Sequence, residues 1–199
     1  MGQKDQIMDL VRLKNGQIET KDVVDQGLRK EVLSELVEEG ALIRVKRGVY
    51  MLPEGTVDEL QIIQLKIPNG IFSFGTALYF NGLSNRVPEI YHISVPHGRN
   101  MMRIKRENSN IVLHYPKQEY FELGKKTAQT TFGAFIFIYD AERCILDLIK
   151  YRKKMDMQLF NDALKLYFES EEKNLLRLSI YAQKLGMENA LRVYTEVLL

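Results

Sequence analysis

Between residues 20 and 52 the chain switches from a helical period to an alternating one within very short segments. TKDVVDQG (20–27) reads as a short helix with Thr20 at its N-cap, closed by Gly27. LRKEVLSELVEEG (28–40) sets Leu28, Val32, Leu33, Leu36 and Val37 on one apolar stripe, and Gly40 ends it. ALIRVKRGVYML (41–52) then alternates, with Ile43 and Val45 to one side and Arg44 and Lys46 to the other, around a turn at Gly48. Helices this short are not stable alone in water, so they must bury their stripes against each other and against a neighbour. The neighbour precedes them. QKDQIMDLVRLK (3–14) carries Ile7, Leu10 and Val11 at helical spacing, and Asn15-Gly16 stops it. Helix, short helix, turn, helix and two-stranded wing is the order of a winged helix-turn-helix domain, expected over residues 1–56.

Such a domain sends the N-terminal end of its second motif helix into the major groove. Here that end carries Arg29 and Lys30, with Ser34 one turn on. Glu31, Glu35, Glu38 and Glu39 follow, and phosphate would repel them. The distribution permits an end-on approach and disfavours a helix lying flat in the groove. Arg44, Lys46 and Arg47 crowd the hairpin tip, where they bury nothing. A solvated tip needs no such cluster, whereas a wing on a DNA backbone does. Lys21, early in the preceding helix, is a further phosphate contact. The expected DNA-binding residues are therefore Lys21, Arg29, Lys30, Ser34, Arg44, Lys46 and Arg47.

Pro53-Glu54-Gly55-Thr56 reads as a linker, and from residue 57 the pattern changes. VDELQIIQLKI is a predicted helix, GIFSF a short strand, and TALYFNGL a helix capped by Thr76. IYHISVP is a strand, RNMMRIKREN a basic strand or turn, NIVLHYP another strand, and FGAFIFIYD a buried strand ended by Asp140. Four helical segments complete the chain. The expected fold class is α+β: the winged helix-turn-helix domain, then an α+β domain over 57–199 made of a small sheet and a C-terminal helical bundle.

The remaining features narrow function mostly by exclusion. The net charge is only +2, so an anionic partner must be argued from where charges sit. The single cysteine, Cys144, excludes a disulfide framework and a multi-cysteine zinc site. With no apolar run near 20 residues and no signal-peptide core at the N-terminus, no membrane association is expected and the cytoplasm is the default. His92-Ile93-Ser94 looks like half of a two-histidine phosphoesterase signature, but neither His97 nor His114 supplies the other half. Glu142, Arg143 and Asp147 read as a helix capping or i,i+4 network, and Cys144 as a small core residue. Tyr167, Phe168, Tyr181 and Tyr194 read as helical core. No glycine-rich phosphate loop and no nucleotidyltransferase signature occur. Accordingly no catalytic residue, cofactor or metal is expected.

The chain resembles the AbiEi-type antitoxins of bacterial type IV toxin–antitoxin (abortive infection, phage defence) systems. The likeness rests on GQIETKDVVDQGLRKEVLSELVEEGALIRVKRGVYMLP, FSFGTALYFNGLSN, HISVPHGR, DAERCILDLIKYRKK and YAQKLGMENALRVYTEVLL, five blocks in order along nearly the whole chain. The resemblance implies an N-terminal winged helix that binds inverted repeats of double-stranded operator DNA in its own promoter. It also implies a C-terminal domain that neutralises a nucleotidyltransferase-like toxin without requiring a stable complex. One departure stands out. The helix in such proteins often begins with a small hydroxyl cap, and here Arg29 stands at that place, so either Arg29 serves DNA or the helix begins elsewhere.

A second basic cluster comprises His97, Arg99, Arg103, Lys105 and Arg106, with Lys125 and Lys126 further along. It reads either as a protected edge strand or as a second anion surface, antitoxic or DNA-facing, centred on Arg99, Arg103, Lys105 and Arg106. Two other classes of function stay open: a nucleic-acid-processing enzyme targeted by a winged helix, and a protein-interaction adaptor.

Overall fold

The first helix, α1 (Gln3–Leu13), buries Ile7 and Val11 and leaves its acidic and basic residues outside. The computed structural model describes residues 2–14, 16–53, 58–98 and 101–198. These divide into two compact units, residues 1–68 with 130–134, and 69–129 with 135–199. The chain is mixed α+β with two sheets. Among the described residues, no helix is long and apolar enough to cross a membrane.

In the first unit, β1 (Gln17–Glu19) leads into α2 (Thr20–Asp25), then α3 (Glu31–Glu38), β2 (Ile43–Lys46), β3 (Val49–Met51) and α4 (Glu59–Lys66). The wing is three-stranded, in the order β1-β3-β2, rather than the expected two-stranded hairpin. A three-residue strand with one apolar residue, Ile18, has too short a period to read from sequence. Ile18 pairs with Tyr50, and both join Ile7, Val11, Val23, Val32, Leu33, Leu36 and Leu42 in one core. The other face of β3 turns Val49 and Met51 toward Val45, Ile62 and Leu65. Helix α4 therefore belongs to this unit, covering the outer face of the wing sheet. A hydrogen bond from the Thr130 hydroxyl to the Asp58 carboxylate, which also caps α4, is part of the same unit. The expected linker residues Glu54, Gly55 and Thr56 lie outside the described residues.

In the second unit, β4 (Ile71–Phe72), α5 (Phe74–Phe80), β5 (Tyr91–Ser94), α6 (Met102–Glu107), β6 (Ile111–His114), β7 (Lys125–Gln129) and β8 (Phe135–Tyr139) precede α7 (Ala141–Tyr151), α8 (Met157–Glu169), α9 (Leu175–Leu185) and α10 (Glu188–Leu198). The mixed sheet runs β6-β5-β4-β8-β7. Two expectations are corrected and one strand is added. Ser73 stands at the cap position of helix α5 without a side-chain cap bond, and Thr76 lies inside the helix, where its hydroxyl accepts from the His92 backbone N–H. The basic segment at 102–107 is a helix, because Met, Arg, Lys and Glu are good helix formers and Ile104 gives it a half-buried side. Strand β7 escapes a sequence reading because KKTAQ is polar on both faces.

Helix α7 packs against α5, α8, α9 and α10, and every residue from Glu142 to Ile149 is buried. Its charges must then be satisfied internally. Arg143 Nε donates to Asp147 Oδ2 at 3.1 Å, and its Nη1 donates to the carbonyls of Tyr120 and Leu123 at 2.7 and 2.9 Å. Glu142 accepts from the Tyr167 hydroxyl and the Asn174 backbone N–H. Asp140 caps the helix through Arg143 N–H and accepts from the Tyr181 hydroxyl. The i,i+4 reading holds for Arg143 and Asp147, whereas Glu142 bonds to Tyr167 of α8 and to the Asn174 N–H that precedes α9. Cys144 is buried, which pushes its thiol up, and it packs as a core residue.

Candidate nucleic-acid interface

The turn between α2 and α3 is built by hydrogen bonds that only a left-handed residue permits. Gly27 takes φ +72°, its N–H donates to the Val24 carbonyl at 2.9 Å, and the Leu28 N–H donates to Val23 at 3.0 Å. This double closure ends α2 and turns the chain sharply, with Leu28 packed back onto the core. Arg29 and Lys30 fall in the turn itself. Helix α3 begins at Glu31, with Lys30 in the cap position, helical in backbone and making no side-chain cap bond. The cap place expected at Arg29 is thus corrected by one residue, to Lys30. Likewise Glu19, not Thr20, holds the cap position of α2, and its N–H donates to Asp22 at 2.9 Å.

Arg29, Lys30 and Ser34 are all exposed. The Arg29 guanidinium stands 4.0 Å from Glu35. Glu35 and Glu39 are also engaged by Lys4 of α1, at 3.1 and 2.6 Å, so much of the acidic side of α3 is neutralised from within. Those hydrogen bonds, Glu39 foremost, hold the Lys4 ammonium above its ordinary range. Asp22 is similarly held below the usual carboxylate range by its 2.5 Å bond from Lys14.

The wing turn is fastened to α2. The Thr20 N–H donates to the Gly48 carbonyl at 2.8 Å. Lys21 is therefore brought beside the turn that carries Lys46 and Arg47, a neighbourhood its sequence position does not reveal. Arg44 pairs across the ladder with Tyr50, its guanidinium 6.0 Å from the ring centroid. The register shifts between Arg44 and Lys46, and this bulge sends Val45 inward while leaving Arg44 exposed and Lys46 half-buried. Among the described residues, Lys21, Lys30, Arg44, Lys46 and Arg47 make no ion pair. Uncompensated cations at the start of α2, the wing turn and the entrance to α3 form a surface that can take an anionic backbone.

The second basic cluster is placed differently. Arg103, Lys105 and Arg106 are exposed on α6, not on an edge strand, while Arg99 lies outside the described residues. His92 and His114 come together through the parallel pairing of β5 and β6. His92 Nδ1 and His114 Nε2 are 2.9 Å apart, and the Phe74 ring lies 4.2 Å from that of His114. Burial lowers both imidazoles, His114 to about 4, so the pair is neutral, one ring donating and the other accepting. The two are spent on each other. Among the described residues, no group of three histidine, cysteine or carboxylate side chains is arranged to hold a metal.

The element order and cationic wing define a winged-helix-like region. Residues 5–53 match the family described as transcriptional regulator, AbiEi antitoxin. Over that segment the chain is similar to a family of antitoxin transcriptional regulators. Among solved structures, the chain is similar to the RV2827C protein from Mycobacterium tuberculosis, with a TM-score of 0.66 at 10% identity over 91% of this chain and 71% of that one. At that identity the likeness concerns the fold alone. No curated protein matches significantly.

Proposed function

We propose that the chain is a cytoplasmic autorepressor that binds inverted repeats in its own promoter and acts as the type IV antitoxin to a nucleotidyltransferase-like toxin. The observation that carries the DNA-binding half is the wing. Lys21, Arg44, Lys46 and Arg47 are gathered where the Thr20–Gly48 bond joins the hairpin turn to α2, without carboxylate partners among the described residues. Their charge meets phosphate, and Arg29, Lys30 and Ser34 read base edges from the α2–α3 turn and the exposed side of α3. In this reading residues 1–56 hold the DNA contacts, and 57–199 supply the antitoxic domain, with α4 serving as the outer cover of the wing. The protein acts by binding and not by catalysis.

Fluorescence anisotropy on the duplex upstream of the coding sequence tests the first half. Tight, salt-sensitive binding with a preference of at least about 10³ over scrambled duplex is expected, and equal binding to both overturns the reading. The second half is tested by co-expression with a nucleotidyltransferase-like toxin, to be sought in the adjoining reading frame. Growth rescue without co-purification is expected. No rescue, or rescue only through a stable complex, counts against a type IV antitoxin.

A further inference from the structure

Helix α7 ends in a run of cations. Lys150 lies in its last turn, and Arg152, Lys153 and Lys154 form the single 3₁₀ turn that follows. All four are exposed, and among the described residues none makes an ion pair. A helix C-terminus favours a cation or two. It does not account for four within five residues, whose summed positive potential favours an anion beside them. These side chains rim a cavity of about 590 Å³, and its remaining lining includes Tyr151, Val193 and Tyr194.

The aromatic wall is built before any ligand arrives. Arg152 Nη1 donates to the Tyr194 hydroxyl at 3.1 Å, and the Tyr194 ring packs edge-on against Phe160 at 5.7 Å. Tyr151 stands edge-on to Phe74 at 5.4 Å. Val193 beside them is 60% exposed, an apolar surface left to water. A cavity of this size suits one small molecule rather than a strand. Its lining calls for a flat ring on one side and several negative charges concentrated on the other.

We propose that this cavity binds a free nucleoside polyphosphate, with the base against Tyr194 and Tyr151 and the phosphates on Lys150, Arg152, Lys153 and Lys154. The inference does not rest on promoter binding, since the wing residues take no part in it.

The test is titration of the full chain with N-methylanthraniloyl derivatives of ATP, GTP, CTP and UTP. Saturable micromolar binding to at least one is expected, displaced by the unlabelled nucleotide and not by the nucleoside. Lys153→Ala with Lys154→Ala should weaken it at least tenfold, since each removes a charge-assisted contact and both residues are exposed enough to leave the fold intact. Tyr194→Leu should cost about tenfold and erase the preference for nucleotide over inorganic tripolyphosphate. Neutralising Arg44, Lys46 and Arg47 should leave nucleotide binding unchanged while weakening duplex binding, which separates the two sites. Four results would overturn the proposal. One is no binding up to about 1 mM, an affinity too weak to matter. Another is tripolyphosphate competing as well as the nucleotide, which marks a bare anion patch. Tighter binding of a single-stranded oligonucleotide marks a strand site, and tighter binding of a polyglutamate peptide marks an acidic protein partner.

Discussion

Helix α3 in the first unit and helix α7 in the second both mix acidic, basic and apolar residues, but they dispose of the charges in opposite ways. On α3 only Val32, Leu33 and Leu36 are buried, and Glu31, Ser34 and Glu38 face outward. On α7, Glu142, Arg143 and Asp147 are as buried as the leucines around them. Every one of those three has a designated partner within its unit. The wing cations Arg44, Lys46 and Arg47 have no carboxylate partner among the described residues. Charge on a helix or hairpin is thus a poor guide to binding until its partners are known. A charge satisfied internally holds the fold, and a charge left unsatisfied at the surface is available to a ligand.

The largest effect that would break this contrast is on α7. Arg143→Met should destabilise the second unit by about 3–5 kcal/mol, because Asp147 is left buried without its partner and two carbonyls lose their donor. Chemical denaturation would measure it. A loss below about 1 kcal/mol would mean the pair is solvated and the contrast is false.

A pair of glycines sharpens the same comparison. Gly124 takes φ +81°, and a Cβ there would stand 2.7 Å from Arg143 Cβ and 2.8 Å from Asp140 Oδ1. Gly27 takes φ +72° with nothing within 4 Å. Gly27→Ala should cost only the left-handed strain, about 1–2 kcal/mol. Gly124→Ala adds a clash against the charged network, bringing the loss to about 3 kcal/mol or more. Equal melting-temperature shifts would show that the close approach at Gly124 relaxes freely.

For the wing, the expected change is in binding and not in stability. Alanine at Arg44, Lys46 and Arg47 together should lower the slope of log affinity against log salt by about 3, on operator and random duplex alike. Unchanged slopes would remove the wing from the backbone contacts.

The smallest effect concerns the His92–His114 pair. Burial places both below the usual histidine range, His114 at about 4. Between about 4 and 6.5 the unfolded chain binds protons that the folded chain refuses. Stability should therefore be complete above about pH 6.5 and fall as the pH drops toward 4. Thermal melts of the wild type and of His114→Asn across that window should show a shallower acid loss in the variant. Parallel curves would assign the loss to other groups.

Much of the first unit was legible in the chain itself. The stripe of Val32, Leu33 and Leu36, the stop at Gly27 and the alternation of the hairpin are local patterns, set by backbone geometry and side-chain periodicity. The helical segments after residue 141 were legible for the same reason, whereas the cap that Asp140 supplies to α7 was not read. The start of α3 was not, because Arg29 and Lys30 are compatible with both a helix and a turn, and the decision lay with the two hydrogen bonds across Gly27.

What tertiary structure alone decided is which distant residues became neighbours. It paired β1 with β3, laid α4 over Val45, Val49 and Met51, and set Lys21 beside the wing turn. It joined His92 to His114 across two strands and grouped Tyr194 with the cations at the end of α7. Periodicity along a chain states which face of an element is apolar. It does not state which other element will cover that face, because the covering is a competition among many apolar surfaces, settled by shape and by the partners that buried polar groups require.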